Sequence, residues 1–316
     1  PEITEARTRF GPHRVAVILG TSTSGIAEGE VAFDAMKKSG AWPAGFHYRQ
    51  QELGQLAEEA SSYLGLTGPS YTIATACSSS AKVFASAQRL IAAGLCDAAV
   101  VGGADTLCVT TVNGFASLDA MSRSLCQQFS RNRDGINIGE GAAAFLITPE
   151  VSDITCLGFG ESSDAHHLSA PDPSGAGAAT AMNAALADAG VAAEDIAYVN
   201  LHGTGTPLND AMEAIAVESV FGRHTFCSST KAMTGHMLGA AGACEAAFLY
   251  LALHPDYGAG RLPPHLWDGD ADPAIPSLNL VTSGTRLDEA PRRAMLSNSF
   301  AFGGSNIALI LGQGSW

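Results

Sequence analysis

The feature that most restricts the fold of this chain is a repeat, in which two blocks of sequence contain the same kinds of segment in the same order. The first block begins with the β-branched apolar run "RVAVILGTSTSG" (14–25), and the second begins with "DIAYVNLHGTGTP" (195–207). Each run ends in small residues, which predicts a buried strand followed by a loop at its carboxyl end. The chain is therefore expected to contain two similar halves.

Each block continues with a short strand, a turn of small residues, a long helix and a pair of strands. The segments are "SYTIATACSSSAKVFASAQRLIAAG", "AAVVGGAD" and "GAAAFLIT" in the first block, and "HTFCSSTKAMTGHMLGAAGACEAAFLYLALH" and "AMLSNSFAFGGSNIALILG" in the second. Strands that alternate with helices predict right-handed crossovers and largely parallel sheets covered on both faces. We expect an N-terminal half over 1–150 and a C-terminal half over 151–316.

The second block has two segments for which the first has no counterpart. The strand "ITCLGFGESSD" and the helix "GAATAMNAALADAG" precede its first shared strand, whereas only "PEITEARTRFG" precedes that of the first block. We expect the first half to lack an N-terminal strand and most of a helix. A first half that is simply shorter is the alternative.

The composition excludes several classes of protein. The formal net charge of −14 argues against nucleic-acid binding, which requires a basic surface to neutralise phosphates. The most apolar segment, 237–254, contains Glu245 and early glycines, so it predicts a buried helix rather than a membrane span. Seven cysteines without a C-x-x-C pair, and no recognisable signal peptide, predict reduced thiols in a cytoplasmic protein.

Cys77 follows a predicted strand and lies in the first turn of a predicted helix. The N–H groups and the dipole of a helix N-terminus stabilise a thiolate and lower the pKa of the thiol. The small residues of "ACSSSA" let a substrate approach, so we interpret Cys77 as a nucleophile. A buried structural thiol is the alternative, and this is the interpretation of the other cysteines.

Two histidines and a lysine follow strands of the second block. His202 precedes "GTGTP", a turn that permits close approach of a ligand; a phosphate cradle is the alternative, but G-K-[ST] and G-x-G-x-x-G are both missing from it. Lys231 and His236 share "STKAMTGH", and a solvated surface charge is the alternative for Lys231. We expect His236 to begin the next helix, whose dipole would keep its imidazole neutral. We predict no metal site, because the sequence has no H-E-x-x-H or C-x-x-C spacing.

Four segments together resemble the motifs of elongating β-ketoacyl-acyl carrier protein synthases. They are "TACSSSA", "HGTGTPLND", "STKAMTGHMLGAAG" and "NSFAFGGSN", and the resemblance spans essentially the whole chain. The segments "AVILGTSTSG", "SSDAHHLSAP" and "CQQFSRNRDGINIGEGAAAFLI" also resemble ketosynthases of aryl polyene gene clusters. The resemblance implies an α/β thiolase fold, with duplicated βαβαβαββ halves in five αβαβα layers.

The resemblance also implies an acyltransferase that performs a decarboxylative Claisen condensation, in fatty acid or aryl polyene biosynthesis. Cys77 would hold the acyl primer as a thioester, and His202 and His236 would complete a Cys-His-His triad. Lys231 would order the two histidines, and Glu213 would be the buried acid associated with Lys231.

Further roles are implied for residues of the surrounding loops. Thr204 and Thr206, with Ser169, would bind the phosphopantetheine arm of the carrier. The backbone N–H of the gate residue Phe302 would join that of Cys77 in an oxyanion hole. No cofactor is implied, because the substrates arrive on the carrier's phosphopantetheine arm.

The implied partners are acyl carrier protein and a second subunit, either another copy of this chain or a paralogue like a chain-length factor. The segment "LCDAAVVGGADTL" (95–107) is expected at the two-fold axis, where family members join their sheets. Arg123, Arg131 and Arg133 are candidates for contact with the acidic carrier, and ordinary structural ion pairs are the alternative. Two other functions remain open: a non-catalytic chain-length-factor-like subunit, which would lack the nucleophile, and a CoA-dependent thiolase, which would have a second cysteine near its C-terminus.

Overall fold

A computed structural model of the chain describes residues 1–290, 292–314 and 316. The helices are α1 (Glu2–Phe10), α2 (Ile26–Ser39), α3 (Gln55–Leu64), α4 (Ser79–Ala92), α5 (Val109–Ser117), α6 (Ala176–Ala189), α7 (Pro207–Phe221), α8 (Lys231–Thr234) and α9 (Ala241–Leu253). The strands are β1 (Val15–Gly20), β2 (Ser70–Ile73), β3 (Ala98–Asp105), β4 (Gly141–Ile147), β5 (Ile154–Ser163), β6 (Ile196–Asn200), β7 (Phe226–Ser228), β8 (Asn279–Leu280), β9 (Arg293–Ala301) and β10 (Ser305–Gln313). Helices and strands alternate along most of the chain, as the sequence pattern predicts for an α/β protein.

The chain forms two compact units. The first comprises Pro1–Leu118, Ile138–Glu150 and Met237–Ala243, and the second comprises Asp119–Asn137, Val151–His236 and Cys244–Trp316. Residues 119–137 lie in the first half of the sequence but belong to the second unit. Residues 237–243 lie in the second half of the sequence but belong to the first unit. The division expected from the sequence, at residue 150, did not include these two exchanges.

The sheet of the first unit has the strand order β2–β1–β3–β4. Strand β1 pairs in parallel with β2 and with β3, and β3 pairs antiparallel with β4. Every residue of β1 is buried, because a central strand of a parallel sheet is covered on both faces. The apolar sequence of this strand is therefore explained by its place in the sheet.

The sheet of the second unit has the order β5–β10–β9–β6–β7–β8. Strand β6 pairs in parallel with β7 and β9, and β9 pairs antiparallel with β10. The run β7–β6–β9–β10 therefore repeats the order and the directions of β2–β1–β3–β4, which confirms the predicted duplication. Strand β5, which pairs antiparallel with β10, is the additional strand that was predicted for the second block.

Strand β3 has a hydrogen-bonded neighbour on each side, β1 and β4. A strand in this position has no free edge with which to pair across a two-fold axis. The expectation that the segment 95–107 joins the sheets of two subunits is therefore wrong. The edge strands of the first unit's sheet are β2 and β4.

The apolar segment that was predicted to be a buried helix contains α9. Its residues are mostly buried, including the one acidic side chain, Glu245. None of the helices in the described part of the chain has the length and apolar character that crossing a membrane requires.

Candidate active site

In the first unit, Cys77 lies in a tight turn between β2 and α4, and serine side chains hold the turn together. Ala76 has φ +50°, a left-handed conformation that is uncommon for a residue with a Cβ atom. The Ser79 hydroxyl donates to the carbonyl oxygen of Ala76 at 2.6 Å and accepts from the N–H of Thr75 at 2.9 Å. Strained backbone of this kind persists only where its surroundings determine it, and it often marks a functional site.

The helix after Cys77 begins at Ser79. Cys77 therefore precedes the helix, and the expectation that it lies in the first helical turn is wrong. Strand β1 supports the turn closely. A Cβ atom on Gly20 would lie 2.4 Å from the backbone nitrogen of Ser80. Only glycine therefore lets the end of β1 contact the helix start at this distance, and the buried Cys77 is held between two rigid elements.

In the second unit, the rings of His202 and His236 have centroids 5.3 Å apart and an interplanar angle of 83°. His202 follows β6, and His236 follows α8, where its N–H donates to the carbonyl oxygen of Asn137 at 2.7 Å. Both histidines are 2% exposed. Burial and, secondly, the charge of Lys231 hold the pKa of each histidine well below its ordinary value. Both imidazoles are therefore neutral near pH 7.

His236 does not begin a helix. The next α-helix, α9, starts at Ala241, after a 3-10 turn over Leu238–Ala240. A helix dipole acts mainly within the terminal turn of the helix, so the prediction that it keeps His236 neutral is wrong. Burial and the neighbouring charge of Lys231 account for the neutral imidazole.

Lys231 is 1% exposed, and its Nζ donates to Oε1 of the equally buried Glu245 at 2.5 Å. The expectation that Glu213 is the acid paired with Lys231 is thereby corrected: the direct partner is Glu245, on α9. In the sequence, Glu245 was evidence only against a membrane span. An acidic residue in an otherwise apolar helix needs a buried partner. This pattern could have identified Glu245 as a member of a buried ion pair.

Glu213, on α7, is fully buried and holds the loop that carries His202. Its two carboxylate oxygens accept the backbone N–H groups of His202 at 2.7 Å and of Gly203 at 2.6 Å. The side-chain amide of Asn298 donates to the same carboxylate at 3.3 Å. Burial raises the pKa of Glu213 to about 7. Glu213 therefore holds the backbone of the His202 loop in place and does not pair directly with the ammonium group of Lys231.

The two threonines predicted to bind the phosphopantetheine arm belong to the His202 loop. The Thr204 and Thr206 hydroxyl oxygens lie 3.0 Å apart, and Thr206 directly precedes α7. Ser169 lies in the loop between β5 and α6, where its N–H donates to Nδ1 of His167 at 3.2 Å. Phe302 lies in the turn between β9 and β10 and is 41% exposed. These residues come from three separate loops of one unit.

The arginines considered for carrier contact differ in their environments. Arg133 is nearly buried and forms an ion pair with Asp272 at 2.6 Å, so the structural alternative applies to it. Arg131 forms a more exposed ion pair with Asp270 at 3.0 Å. A residue already held in a buried pair is poorly placed to bind a second protein.

Two family models match the chain in succession. The N-terminal domain of β-ketoacyl synthases matches residues 3–152, and the C-terminal domain matches residues 154–266. The 3-oxoacyl-[acyl-carrier-protein] synthase 2 of Coxiella burnetii is 34% identical over 326 residues, which cover 95% of this chain and 75% of that protein. The protein of the same name from Vibrio cholerae is 33% identical, with 94% and 75% covered.

Solved structures show the same relationship. The ketosynthase ApeO of Xenorhabdus doucetiae, determined in complex with its chain length factor ApeC, is 48% identical with a TM-score of 0.91, and the match covers 99% of this chain and 78% of ApeO. A β-ketoacyl synthase of Burkholderia phymatum is 31% identical with a TM-score of 0.87, with 97% and 77% covered.

Proposed function

Because the chain belongs to the β-ketoacyl synthase family and is an acyltransferase of the condensing type, we propose that it joins a malonyl group on acyl carrier protein to an acyl primer held on Cys77. The observation that carries this proposal is the pair of buried, neutral histidines beside Lys231. A decarboxylative condensation needs hydrogen-bond donors where negative charge develops on the malonyl thioester, and the N–H group of a neutral imidazole is such a donor. A non-catalytic subunit would have no use for such a pair.

The first half-reaction loads the primer. The sulfur of Cys77 attacks the thioester carbonyl of the acylated carrier, a new carbon–sulfur bond forms, and the phosphopantetheine thiol leaves. The strained turn at Ala76 and the hydroxyl of Ser79 hold the attacking cysteine in place. Positioning of this kind removes part of the entropic barrier to a bimolecular step. We propose the backbone N–H groups of Cys77 and Phe302 as donors to the tetrahedral oxyanion.

The second half-reaction breaks the malonyl group. His202 and His236 each donate a hydrogen bond to the thioester oxygen of malonyl carrier protein, carbon dioxide departs, and the enolate attacks the acyl carbon on Cys77. The thiolate of Cys77 leaves, and the elongated β-ketoacyl chain remains on the carrier. This sequence of bond changes is balanced without an oxidant or reductant, so we propose that the reaction needs no cofactor beyond the carrier's own arm.

Lys231 keeps the two histidines in their neutral form. Its positive charge opposes protonation of both imidazoles, and Glu245 compensates that charge inside the protein. We propose that Thr204, Thr206 and Ser169 contact the phosphopantetheine arm.

A second subunit is part of the proposal. ApeO was solved with a chain length factor and is more similar to this chain, at 48% identity, than the Coxiella 3-oxoacyl-[acyl-carrier-protein] synthase 2 at 34%. We therefore favour a heterodimer with a chain-length-factor-like paralogue over a homodimer, and aryl polyene over fatty acid biosynthesis. We also propose a cytoplasmic location, in keeping with its seven cysteines, none of which forms a disulfide.

The assignment of Cys77 is tested by incubating the protein with acyl-loaded carrier and locating the added acyl mass by peptide mass spectrometry. We expect the wild type to carry the acyl group on Cys77 and Cys77→Ala to carry none. Cys96→Ala, which alters another buried thiol of the same unit, is the matched control and should load normally. Acylation of a different cysteine would refute the assignment.

The same assay separates the role of the histidines from that of the cysteine. We expect His202→Ala to leave measurable loading of Cys77 but to reduce carbon dioxide release by roughly 10²-fold or more, the usual effect of losing such a donor. An equal loss of both half-reactions would contradict this division of roles.

A further inference from the structure

Asp105, the last residue of β3, is 3% exposed, and its carboxylate accepts hydrogen bonds from two separate segments of the first unit. From the loop after β1 it accepts the Thr21 hydroxyl at 2.5 Å, the Ser22 N–H at 2.8 Å, and the N–H and hydroxyl of Thr23, both at 2.9 Å. From the 3-10 turn before α9 it accepts the Ala240 N–H at 3.1 Å. One buried carboxylate thus satisfies five donors.

The loop 21–24 is a neighbour of the Cys77 turn. Strands β1 and β2 are parallel, Gly20 is paired with Ile73, and the Thr21 N–H donates to the Ile73 carbonyl oxygen at 3.4 Å. The close contact of Gly20 with Ser80 brings the start of the loop against the helix that follows Cys77. The loop and the nucleophile therefore lie at the same end of the sheet, where the carboxyl ends of parallel strands form binding sites.

The second segment, 237–243, follows His236 in the chain and packs against both the loop and the helix. A Cβ atom on Gly239 would lie 2.6 Å from the backbone nitrogen of Ser22. The Ala243 N–H donates to the hydroxyl of Ser80 at 2.9 Å. The loop, the turn and the helix start form one close-packed joint, and Asp105 is the polar group that links the loop to the turn.

On the premise of the proposed function, we propose that Asp105 is a positioning residue, which fixes the loop 21–24 and the turn 238–240 together and thereby sets which acyl primers Cys77 accepts. An acyl chain on Cys77 begins beside this joint, so the position of the loop limits the space open to it. The role requires a group that only accepts hydrogen bonds. An asparagine amide would direct two N–H groups at neighbours that are themselves donors.

The test compares Asp105→Asn with Thr21→Val, which removes one donor and leaves the carboxylate. The control is Asp97→Asn, an aspartate of the same unit that pairs with Arg14 near the surface. The rate constant kcat/KM for loading of Cys77 is measured with a short and with a long acyl primer on the carrier. We expect Asp105→Asn to change the ratio of the two values by about 10-fold or more, because small displacements of positioning groups have effects of that size.

Thr21→Val is expected to change the ratio in the same direction by a smaller factor, and Asp97→Asn to leave it unchanged. An equal loss for both primers, with the ratio unaltered, would mean that Asp105 is only structural and would overturn the proposal. If Asp105→Asn does not fold, Thr21→Val decides by the same criterion.

Amide hydrogen exchange gives a readout that does not depend on activity. We expect Asp105→Asn, or Thr21→Val if the first variant does not fold, to reduce the protection of the Ser22, Thr23 and Ala240 amides together. Loss of protection in only one of the two segments would contradict the proposed link. If the wild type itself fails to load Cys77, the proposed function fails, whereas the exchange result still decides whether Asp105 joins the two segments.

Discussion

Lys231 and Glu245 form a buried ion pair whose two members depend on each other. Removing one partner leaves the other charge in a medium that solvates it poorly, which typically costs about 3–5 kcal/mol. Replacing both charges by apolar side chains of similar size is far less costly, because no unpaired charge remains. This asymmetry provides a test of the pair.

We expect Glu245→Gln to lower the free energy of unfolding by about 3–5 kcal/mol, measured by urea denaturation. The double variant Lys231→Met with Glu245→Leu should recover most of that loss while remaining inactive in carbon dioxide release. Asp34→Asn, which breaks the exposed pair of Asp34 with Lys38, is the control and should cost less than about 1 kcal/mol. A cost for Glu245→Gln as small as the control's would contradict a charged buried pair.

The sequence singled out candidate residues of the site because each lies in a short motif next to a strand end. Cys77, His202 and Lys231 were found in this way. It did not identify Glu245 as the partner of Lys231, since the two are 14 residues apart and meet only through the packing of α8 and α9. Nor did it single out Asp105, whose donors lie in loops more than 80 residues away.

At the scale of elements, the repeated strand order followed from apolar runs and small-residue turns that the sequence displays directly. The residues at which helices begin were predicted less accurately. Runs of serine, glycine and alanine before α4 and α9 do not distinguish a turn from a first helical residue, so Cys77 and His236 were both assigned to helices that begin later. The place of β3 within its sheet was also missed, because a strand's neighbours are set by tertiary pairing rather than by its own sequence.

Small residues bring strand β5 and helix α6 into close contact, and this contact can be tested. A Cβ atom on Gly160 of β5 would lie 2.0 Å from the carbonyl oxygen of Ala181 and 2.3 Å from the nitrogen of Ala185. Since both neighbours are backbone atoms, Gly160→Ala has to separate the strand from the helix. We expect it to lower the free energy of unfolding by about 1–3 kcal/mol or more.

Gly114→Ala is the matched control for this element. Gly114 lies in α5, and a Cβ atom there would meet no heavy atom within 4 Å. Alanine has the higher helix propensity, so this variant should be neutral or stabilising by up to about 1 kcal/mol. Thermal and urea unfolding of both variants would check the pair, and an equal response would show that the β5–α6 contact is less close than described.

At the scale of the whole molecule, the outer edge of β2 is a surface through which the proposed second subunit can attach. The Val17 N–H donates to the Pro69 carbonyl and the Thr21 N–H to the Ile73 carbonyl. The carbonyl groups of Pro69 and Ile73 are therefore directed toward β1. Alternate residues of a strand direct theirs to the other side. The backbone groups of Ser70 and Thr72 therefore face outward, where an added strand would satisfy them.

We expect Thr72→Pro, which removes an outward N–H, to prevent assembly, whereas Thr72→Val retains the N–H and should assemble normally. Light scattering of the chain alone, and of the chain co-purified with a chain-length-factor-like paralogue, measures the mass in each case.

An obligate heterodimer that prefers aryl primers over saturated acyl primers would support the aryl polyene pathway, and a homodimer with the opposite preference would support fatty acid synthesis. A wild-type monomer under both conditions would refute the assembly, and equal loss of assembly in both variants would show that side-chain contacts rather than backbone pairing join the subunits.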